Sequence, residues 1–204
     1  MITKKKLLKS LIYASLISAS SFNFSCNKRV SEDTQVKIEE DSLLIKVQNI
    51  QDSLSTAWDN MITDDDEKLG YMRRILLEIS YSNFNQSRTE ELNILVDELK
   101  KLRYDQKSMV SSALIDQYDS ATSMVSRQVI QFGQDFLQNN ESDLVSELIH
   151  EINLKNNYVL LYRVHYDSFA EELNGLIDDY GPLFEEKNIS IEKKPLFKLS
   201  MDDI

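Results

Sequence analysis

The chain is poor in glycine and proline, with 4 Gly and 2 Pro among its 204 residues. Sheet proteins need frequent tight turns, and tight turns draw heavily on these two residue types. The scarcity of both therefore favours a few long helices over a β-rich fold. The glycines also stand singly along the chain, which excludes a glycine-rich phosphate-binding loop.

Histidine and cysteine are scarce too, with 2 His and 1 Cys. Glu147 and His150 have the Glu-x-x-His spacing of di-iron helical bundles, but such a site needs a second copy that this chain lacks. His165 would lie about 22 Å from His150 on one helix, too far to share a metal. There is also no Gly-x-Ser-x-Gly nucleophile elbow. We therefore predict no metal site, no cofactor and no catalytic residues.

Residues 1–25 have the pattern of an export signal. An apolar, serine-bearing stretch over 11–24 is shorter than the roughly 20 residues that a transmembrane helix needs. It is preceded by a basic segment with Lys4, Lys5, Lys6 and Lys9.

Ser25 and Cys26 follow this stretch directly, and the arrangement resembles the lipobox of bacterial lipoproteins. The resemblance implies cleavage before Cys26 and attachment of acyl chains such as palmitate to that residue. Asn27 then slightly favours the outer membrane, with the body facing the periplasm or the cell surface. The alternative is an ordinary secretory signal that is cleaved near Ala19 or Ser20 and leaves Cys26 as a free thiol.

The remaining chain is strongly acidic. Without the four lysines of residues 1–25, 19 basic side chains stand against 34 acidic ones, a formal charge of −15. Such a body is a poor partner for nucleic acid or for anionic lipid surfaces. The expected membrane link is therefore the lipid on Cys26.

Apolar residues recur at alternating spacings of three and four, which is typical of amphipathic helices. The first two stripes are Leu43, Val47, Ile50, Leu54, Ala57 or Trp58 and Met61, then Leu69, Met72, Ile75 or Leu76, and Ile79. A break is expected at Asn83 to Gln86, and the stripe of the last helix passes through Val159, Tyr162 and Tyr166. We predict a polar tether over 26–40, a bundle over 41–182 and an apolar tail over 183–204. Within the bundle, Asp64 to Glu67 is interpreted as the start of a second helix, Ser87 to Glu90 as a capping box, and Gly181-Pro182 as a helix stop. A fourth helix is expected from about Gln106 to Leu137. The predicted fold is an all-α, elongated, antiparallel bundle of four or five helices with coiled-coil-like packing.

The last third of the chain resembles the C-terminal part of the LemA family of membrane-associated bacterial proteins. The family pattern has Asn, Arg and Tyr-Asn, then further apolar and aromatic positions, and it closes with a basic Pro-containing stretch. The corresponding residues here are Asn157, Arg163, Tyr166-Asp167, Ala170, Leu173-Asn174, Ile177, Tyr180 and Pro182, then residues 193–197. The resemblance implies an antiparallel helical bundle near a membrane. It supplies no catalytic residues.

Aromatic residues cluster on the last predicted helix and in the tail. They can fill the core, or they can form a docking surface for another protein, because Tyr and Arg are favoured interface anchors. The candidate interaction residues are Tyr158, Tyr162, Arg163, Tyr166, Asn174 and Phe197. The apolar tail is expected to fold back over the bundle, or else to be donated to a partner.

Taken together, these features favour a non-enzymatic, lipid-anchored scaffold or binding protein of the bacterial cell envelope, with an envelope protein as its partner. One alternative is a structural lipoprotein that associates with copies of itself. A less favoured alternative is an envelope hydrolase.

Overall fold

The computed structural model describes residues 32–198, and this part of the chain is all-α. It contains four α-helices and one short 3-10 turn: α1 (Glu32–Ser80), α2 (Gln86–Leu102), the 3-10 turn (Ser108–Val110), α3 (Ser112–Leu137) and α4 (Asp143–Glu186). The predicted all-α bundle is confirmed. The chain divides into two compact units, Met1–Ile38 and Glu39–Ile204, of which the second contains the bundle.

Consecutive helices of this unit run antiparallel. The directions follow from pairs of contacts at opposite ends, since Arg73 meets Asp97 while Asp66 meets Arg103 across α1 and α2. Similar pairs join α1 to α4, where the partners are Lys46 with Glu172 and Lys155 with Asp64. The topology is therefore the up-down-up-down arrangement of a four-helix bundle.

Helix length divides the bundle into two parts. α1 and α4 have 49 and 44 residues, whereas α2 and α3 have 17 and 26. Where α2 and α3 end, the first half of α1 pairs with the last half of α4 alone. The segment after α4 covers part of this two-helix region, and Phe197 from it is buried.

The core follows the predicted apolar stripes closely in α1. Its buried apolar positions before Asp64 are Val47, Ile50, Leu54, Ala57 and Met61, and those after Asp64 are Leu69, Met72, Ile75, Leu76 and Ile79. An amphipathic helix has little stability alone in water, so burial of this face is what holds α1 in place.

The predicted helix start at Asp64 to Glu67 is wrong, because α1 continues through these residues without a break. The acids are not capping groups. Asp64 pairs with Lys155 of α4, and Asp65 pairs with Lys68 and with Arg103 from the end of α2. Tertiary partners from distant segments thus neutralise a charge run that locally resembles a helix terminus.

Three other predicted boundaries at helix starts are also wrong. α1 begins at Glu32, so the second half of the expected tether is helical. α2 is capped by Asn85, and the expected capping box at Ser87 does not begin it. Asn85 adopts a left-handed backbone (φ 44°) and its side chain accepts a hydrogen bond from the Arg88 amide. α3 begins at Ser112, several residues later than expected.

Gly181-Pro182 does not stop α4, contrary to prediction, and the helix runs on to Glu186. Phe184, two residues before the last residue of α4, is 3% exposed, and its burial favours extension of the helix past the proline. The stop is provided by Asn188 at φ 55°, with the Ile189 amide donating to the Phe184 carbonyl at 2.8 Å. This pairing is a Schellman-type ending with Asn in the left-handed position.

Among residues 32–198, no helix combines the length and the apolar character needed to cross a membrane. The predicted signal over 1–25 and Cys26 lie outside the described residues.

Candidate functional site

A buried charge cluster lies where α1 and the end of α2 meet α3. Asp65 is 3% exposed, and its Oδ1 lies 2.8 Å from the Lys68 Nζ, which belongs to the same helix. Its Oδ2 lies 2.7 Å from Arg103 Nη2 and accepts a hydrogen bond from the Tyr118 hydroxyl. One buried carboxylate therefore holds two cations and a phenol from three segments of the chain.

The charges in this cluster stabilise each other's ionised forms. Burial alone would raise the pKa of Asp65, but Lys68 and Arg103 outweigh burial and hold that pKa below its usual range. Burial raises the pKa of Tyr118, and the adjacent Asp65 carboxylate raises it further. At neutral pH the carboxyl is therefore ionised and the phenol is protonated.

A second buried ion pair joins α3 to α4. Arg163 is 4% exposed and binds Asp119 through both ends of its guanidinium group, with Nη1–Oδ2 at 2.6 Å and Nη2–Oδ1 at 2.7 Å. Desolvation would lower the pKa of Arg163, but the hydrogen bonds to Asp119 raise it overall. The guanidinium carbon also lies 5.2 Å from the centre of the Phe197 ring, a cation–π contact.

A cavity of about 370 Å³ lies between these two ion pairs, along α1, α3 and α4. Its charged lining consists of Asp65, Lys68, Asp119, Arg127 and Arg163. Its hydroxyl and amide lining consists of Tyr118, Thr122, Ser123, Ser126, Asn153 and Asn156. A short apolar wall is formed by Ile130, Val159 and Leu160.

The segment after α4 is fastened to α4 by side-chain hydrogen bonds. The Asn174 amide group bonds both the nitrogen and the carbonyl of Lys194, each at 2.8 Å. The Phe197 amide donates to Asp167 Oδ1 at 2.7 Å, and both residues are buried. The described part of the tail therefore folds back over the bundle, which was the first of the two arrangements expected.

Four aromatic rings meet beneath this segment. Phe197 stacks on Trp58 at a centroid separation of 6.3 Å, and it meets Tyr166 at 5.5 Å and Tyr104 at 6.0 Å in edge-to-face contacts. Burial raises the pKa of Tyr166 to about 12, with Asp167 adding to the effect. These rings hold the tail against α1, α4 and the end of α2.

The six candidate interaction residues do not form one exposed surface. Arg163, Tyr166 and Phe197 are buried, so these three are core residues and not an accessible docking surface. Asn174 is half-buried and forms hydrogen bonds with the backbone of Lys194 in the tail. Tyr162 is partly buried against the core, and Tyr158 is the most accessible of the six at 38%.

Sequence reasoning missed the charged partners of this region. The apolar stripe of the last helix was expected to pass through Tyr162, whereas the buried face passes through Val159, Arg163 and Tyr166. The burial of an arginine within an apolar stripe is hard to predict when its acidic partner, here Asp119, is not known. The single available signal was the position of Arg163 four residues after Val159 and three before Tyr166, which is the spacing of one helix face.

A separate feature is a group of exposed apolar residues, here called the apolar patch: Leu77 on α1, Ile94 on α2, and Tyr81 directly after the end of α1. Arg73 Nε donates to Asp97 Oδ1 at 3.0 Å between α1 and α2. Leu77 lies one turn after Arg73, and Ile94 lies one turn before Asp97, so the two apolar side chains are neighbours on one face. Leu77 is 53% exposed, Ile94 63% and Tyr81 74%.

Glu147 and His150 are both exposed on α4. Within residues 32–198, no three His, Cys, Asp or Glu side chains come together in a way that could hold a metal ion.

Comparison of the chain with protein-family models, with curated proteins and with solved structures gives no match. The resemblance to the LemA family therefore stays a prediction.

Proposed function

We propose that this protein is a lipid-anchored, non-enzymatic binding module of a bacterial cell envelope that contacts a second, different protein. The lipobox resemblance at Cys26 supplies the anchor in this proposal. The observation that carries the binding role is the apolar patch of Leu77, Tyr81 and Ile94. Contiguous exposed apolar side chains, rimmed by charged ones, are typical of protein-binding surfaces.

The position of the patch favours a protein over the lipid surface as its partner. Leu77 lies about 57 Å along α1 from Glu39, at 1.5 Å per residue. The proposed anchor at Cys26 precedes α1 in the chain, whereas the patch lies near the C-terminal end of this helix. This separation along the chain favours another protein over the bilayer as the partner of the patch.

The charge of the chain favours a different protein over a second copy. Two copies would each bring a formal charge of −15 for residues 26–204, and like-charged bodies repel. The rim of the patch includes two exposed or half-exposed acids, Glu78 and Glu90, while Asp97 beside it is paired with Arg73. The proposed partner therefore carries an apolar surface with basic residues around it.

The chemistry of the buried clusters favours binding over catalysis. A general acid or base at neutral pH needs a pKa near the working pH. The pKa of Asp65 is lowered and those of Tyr104 and Tyr118 are raised, in each case away from neutrality. These groups are suited to holding helices together, which supports the non-enzymatic reading.

Site-specific crosslinking in native membranes tests the proposal. An Ile94→Cys variant of the full chain is labelled with a maleimide photocrosslinker and illuminated. We expect one discrete product with a protein of different mass. The chain without the new cysteine should not label, because Cys26 is acylated in this proposal.

Val110→Cys is the matched control, since Val110 is 73% exposed but lies outside the patch. Adding Leu77→Glu to the Ile94→Cys chain should abolish the product, and with the purified partner it should weaken binding at least about tenfold. Exposed substitutions of this kind change stability by only about 0.5 kcal/mol. A product of twice the chain's mass would favour the self-associating alternative. Equal crosslinking from both cysteines would contradict the proposal.

A further inference from the structure

The cavity between α1, α3 and α4 is lined by several hydrogen-bond donors that have no acceptor within the described part of the protein. Its volume of about 370 Å³ lies in the range of small-molecule sites, which is about 300–1,000 Å³. The exposed residues Ser123, Arg127 and Asn153 stand at its mouth, while Lys68, Thr122 and Arg163 lie deeper and are buried. A ligand could therefore enter from solvent and reach buried polar groups.

Three buried polar atoms in this lining have no hydrogen-bond partner among residues 32–198. One is an acceptor, Asp65 Oδ1, which is paired with the Lys68 ammonium group at 2.8 Å. The other two can donate: the Thr122 hydroxyl, in a residue 5% exposed, and the Arg163 Nε, in a residue 4% exposed. A buried donor without a partner costs about 1–3 kcal/mol, so such atoms call for an explanation in a folded protein. A ligand with acceptor atoms would supply the missing partners.

The two other cations of the lining have donors to spare. Lys68 Nζ has one partner in the described part of the chain, Asp65, although an ammonium group carries three donors. Arg127 uses its Nε on the Ser123 carbonyl and forms no ion pair with any described residue. The donors left over by Lys68, Thr122, Arg127 and Arg163 all border one cavity.

The acceptors of the lining are largely committed. Both oxygens of Asp119 accept from Arg163, and both oxygens of Asp65 are held by Lys68, Arg103 and Tyr118. Three cations against two carboxylates leave the lining with one net positive charge, in a chain whose formal charge is −11. Local positive charge with surplus donors is the chemistry that recognises an anion.

We propose that this cavity binds a small organic anion whose carboxylate or phosphate oxygens accept hydrogen bonds from Arg163 Nε and the Thr122 hydroxyl and pair with Arg127. Its apolar part lies against the wall of Ile130, Val159 and Leu160. This site is independent of the apolar patch and of the lipid anchor, so it can be tested separately from the proposed protein partner.

The test uses three probes that share a ring and differ in charge: benzoate, phenyl phosphate and benzyl alcohol. They are titrated into the full-length protein in detergent, and the NMR signal of the Arg163 Nε–H group is followed. We expect benzoate, phenyl phosphate or both to shift this signal saturably. Benzyl alcohol should bind at least about tenfold more weakly, because it brings no charge to the surplus donors.

Two variants connect binding to the proposed donors. Arg127→Gln and Thr122→Val should each weaken binding of the better anion about tenfold. Arg127 is exposed, and Thr122→Val removes a hydroxyl that lacks a partner, so both variants should keep the fold. Arg74→Gln is the matched control, because Arg74 is an exposed arginine outside the cavity.

Preference for one anion over the other would identify which of the two groups the site recognises. The proposal is overturned if neither anion shifts the Arg163 signal, if benzyl alcohol binds as well as the anions, or if Arg127→Gln weakens binding no more than Arg74→Gln does.

Discussion

Replacing Asp65 with Asn should destabilise the protein far more than the same change at its neighbour Asp66. Asp65 has a side chain that is 5% exposed, and it neutralises Lys68, whose side chain is 4% exposed. Asparagine keeps the shape but removes the charge, so the Lys68 ammonium group stays buried without a carboxylate. Removing one partner of a buried ion pair costs about 3–5 kcal/mol.

The lower end of that range applies here. Arg103, the second cation on Asp65, keeps Asp66 as a partner at 2.9 Å, so the loss falls chiefly on Lys68. We therefore expect a loss of about 3 kcal/mol. With a urea m-value of about 2 kcal/mol/M, the midpoint of unfolding should fall by roughly 1.5 M.

The assay is urea unfolding of the full-length chain, followed by far-UV circular dichroism. Asp66→Asn is the matched control, because the Asp66 side chain is 46% exposed and its pairing with Arg103 and Lys100 is at the surface. It should cost less than about 1 kcal/mol. Equal losses from the two variants would refute the view that a buried network holds α1 to the end of α2.

The difference in stability between wild type and Asp65→Asn depends on pH. The pKa of Asp65 is lower in the folded protein than its ordinary value of 3.8, so ionisation of this group favours the folded state above that pH. As the pH falls through 3.8 and then through the lower folded pKa, this stabilisation is lost. The difference between wild type and Asp65→Asn should therefore shrink on acidification, and a difference that grows would contradict the assignment.

Two further predictions concern packing. Phe197→Ala should release the tail at a cost of about 3 kcal/mol, because a buried ring in contact with Trp58 is lost. Hydrogen exchange should become faster at the backbone amide of residue 197, while the amides of α2 and α3 stay protected. Gly133→Leu should lower the melting temperature, because a Cβ added there would lie only 3.1 Å from Ile149 Cδ1. Gly175→Ala should raise the free energy of unfolding by about 0.5–1 kcal/mol, because a Cβ added at Gly175 would have no neighbouring atom within 4 Å.

Sequence periodicity was sufficient for the fold class and for most of the core. The stripe from Val47 to Met61 is buried as predicted, because the identity of an apolar face depends on local spacing alone. A break was predicted at Asn83 to Gln86, and the structure has it between Ser80 and Gln86. These features need no information about distant parts of the chain.

The predictions that failed concern residues whose partners are distant in sequence. Asp64 and Asp65 resemble a helix start until Lys155 and Arg103 are placed beside them. Pro182 resembles a stop until the burial of Phe184 is known.

The candidate site was predictable only in part. Arg163 was singled out as an interaction residue, but its role in the buried cavity depends on Asp119, which lies 44 residues away in the sequence. Thr122 and Lys68 carry no local sign of their position in the cavity lining.

Membrane fractionation of wild type and Cys26→Ser tests the central claim most directly, which is that the bundle acts at a membrane through a lipid on this cysteine. Membranes from the native host are washed at alkaline pH, and the protein is followed in pellet and supernatant. The account predicts that wild type stays in the pellet and that Cys26→Ser is released, because the lipid is the proposed attachment. A Cys26→Ser chain that still pellets after the alkaline wash would contradict it.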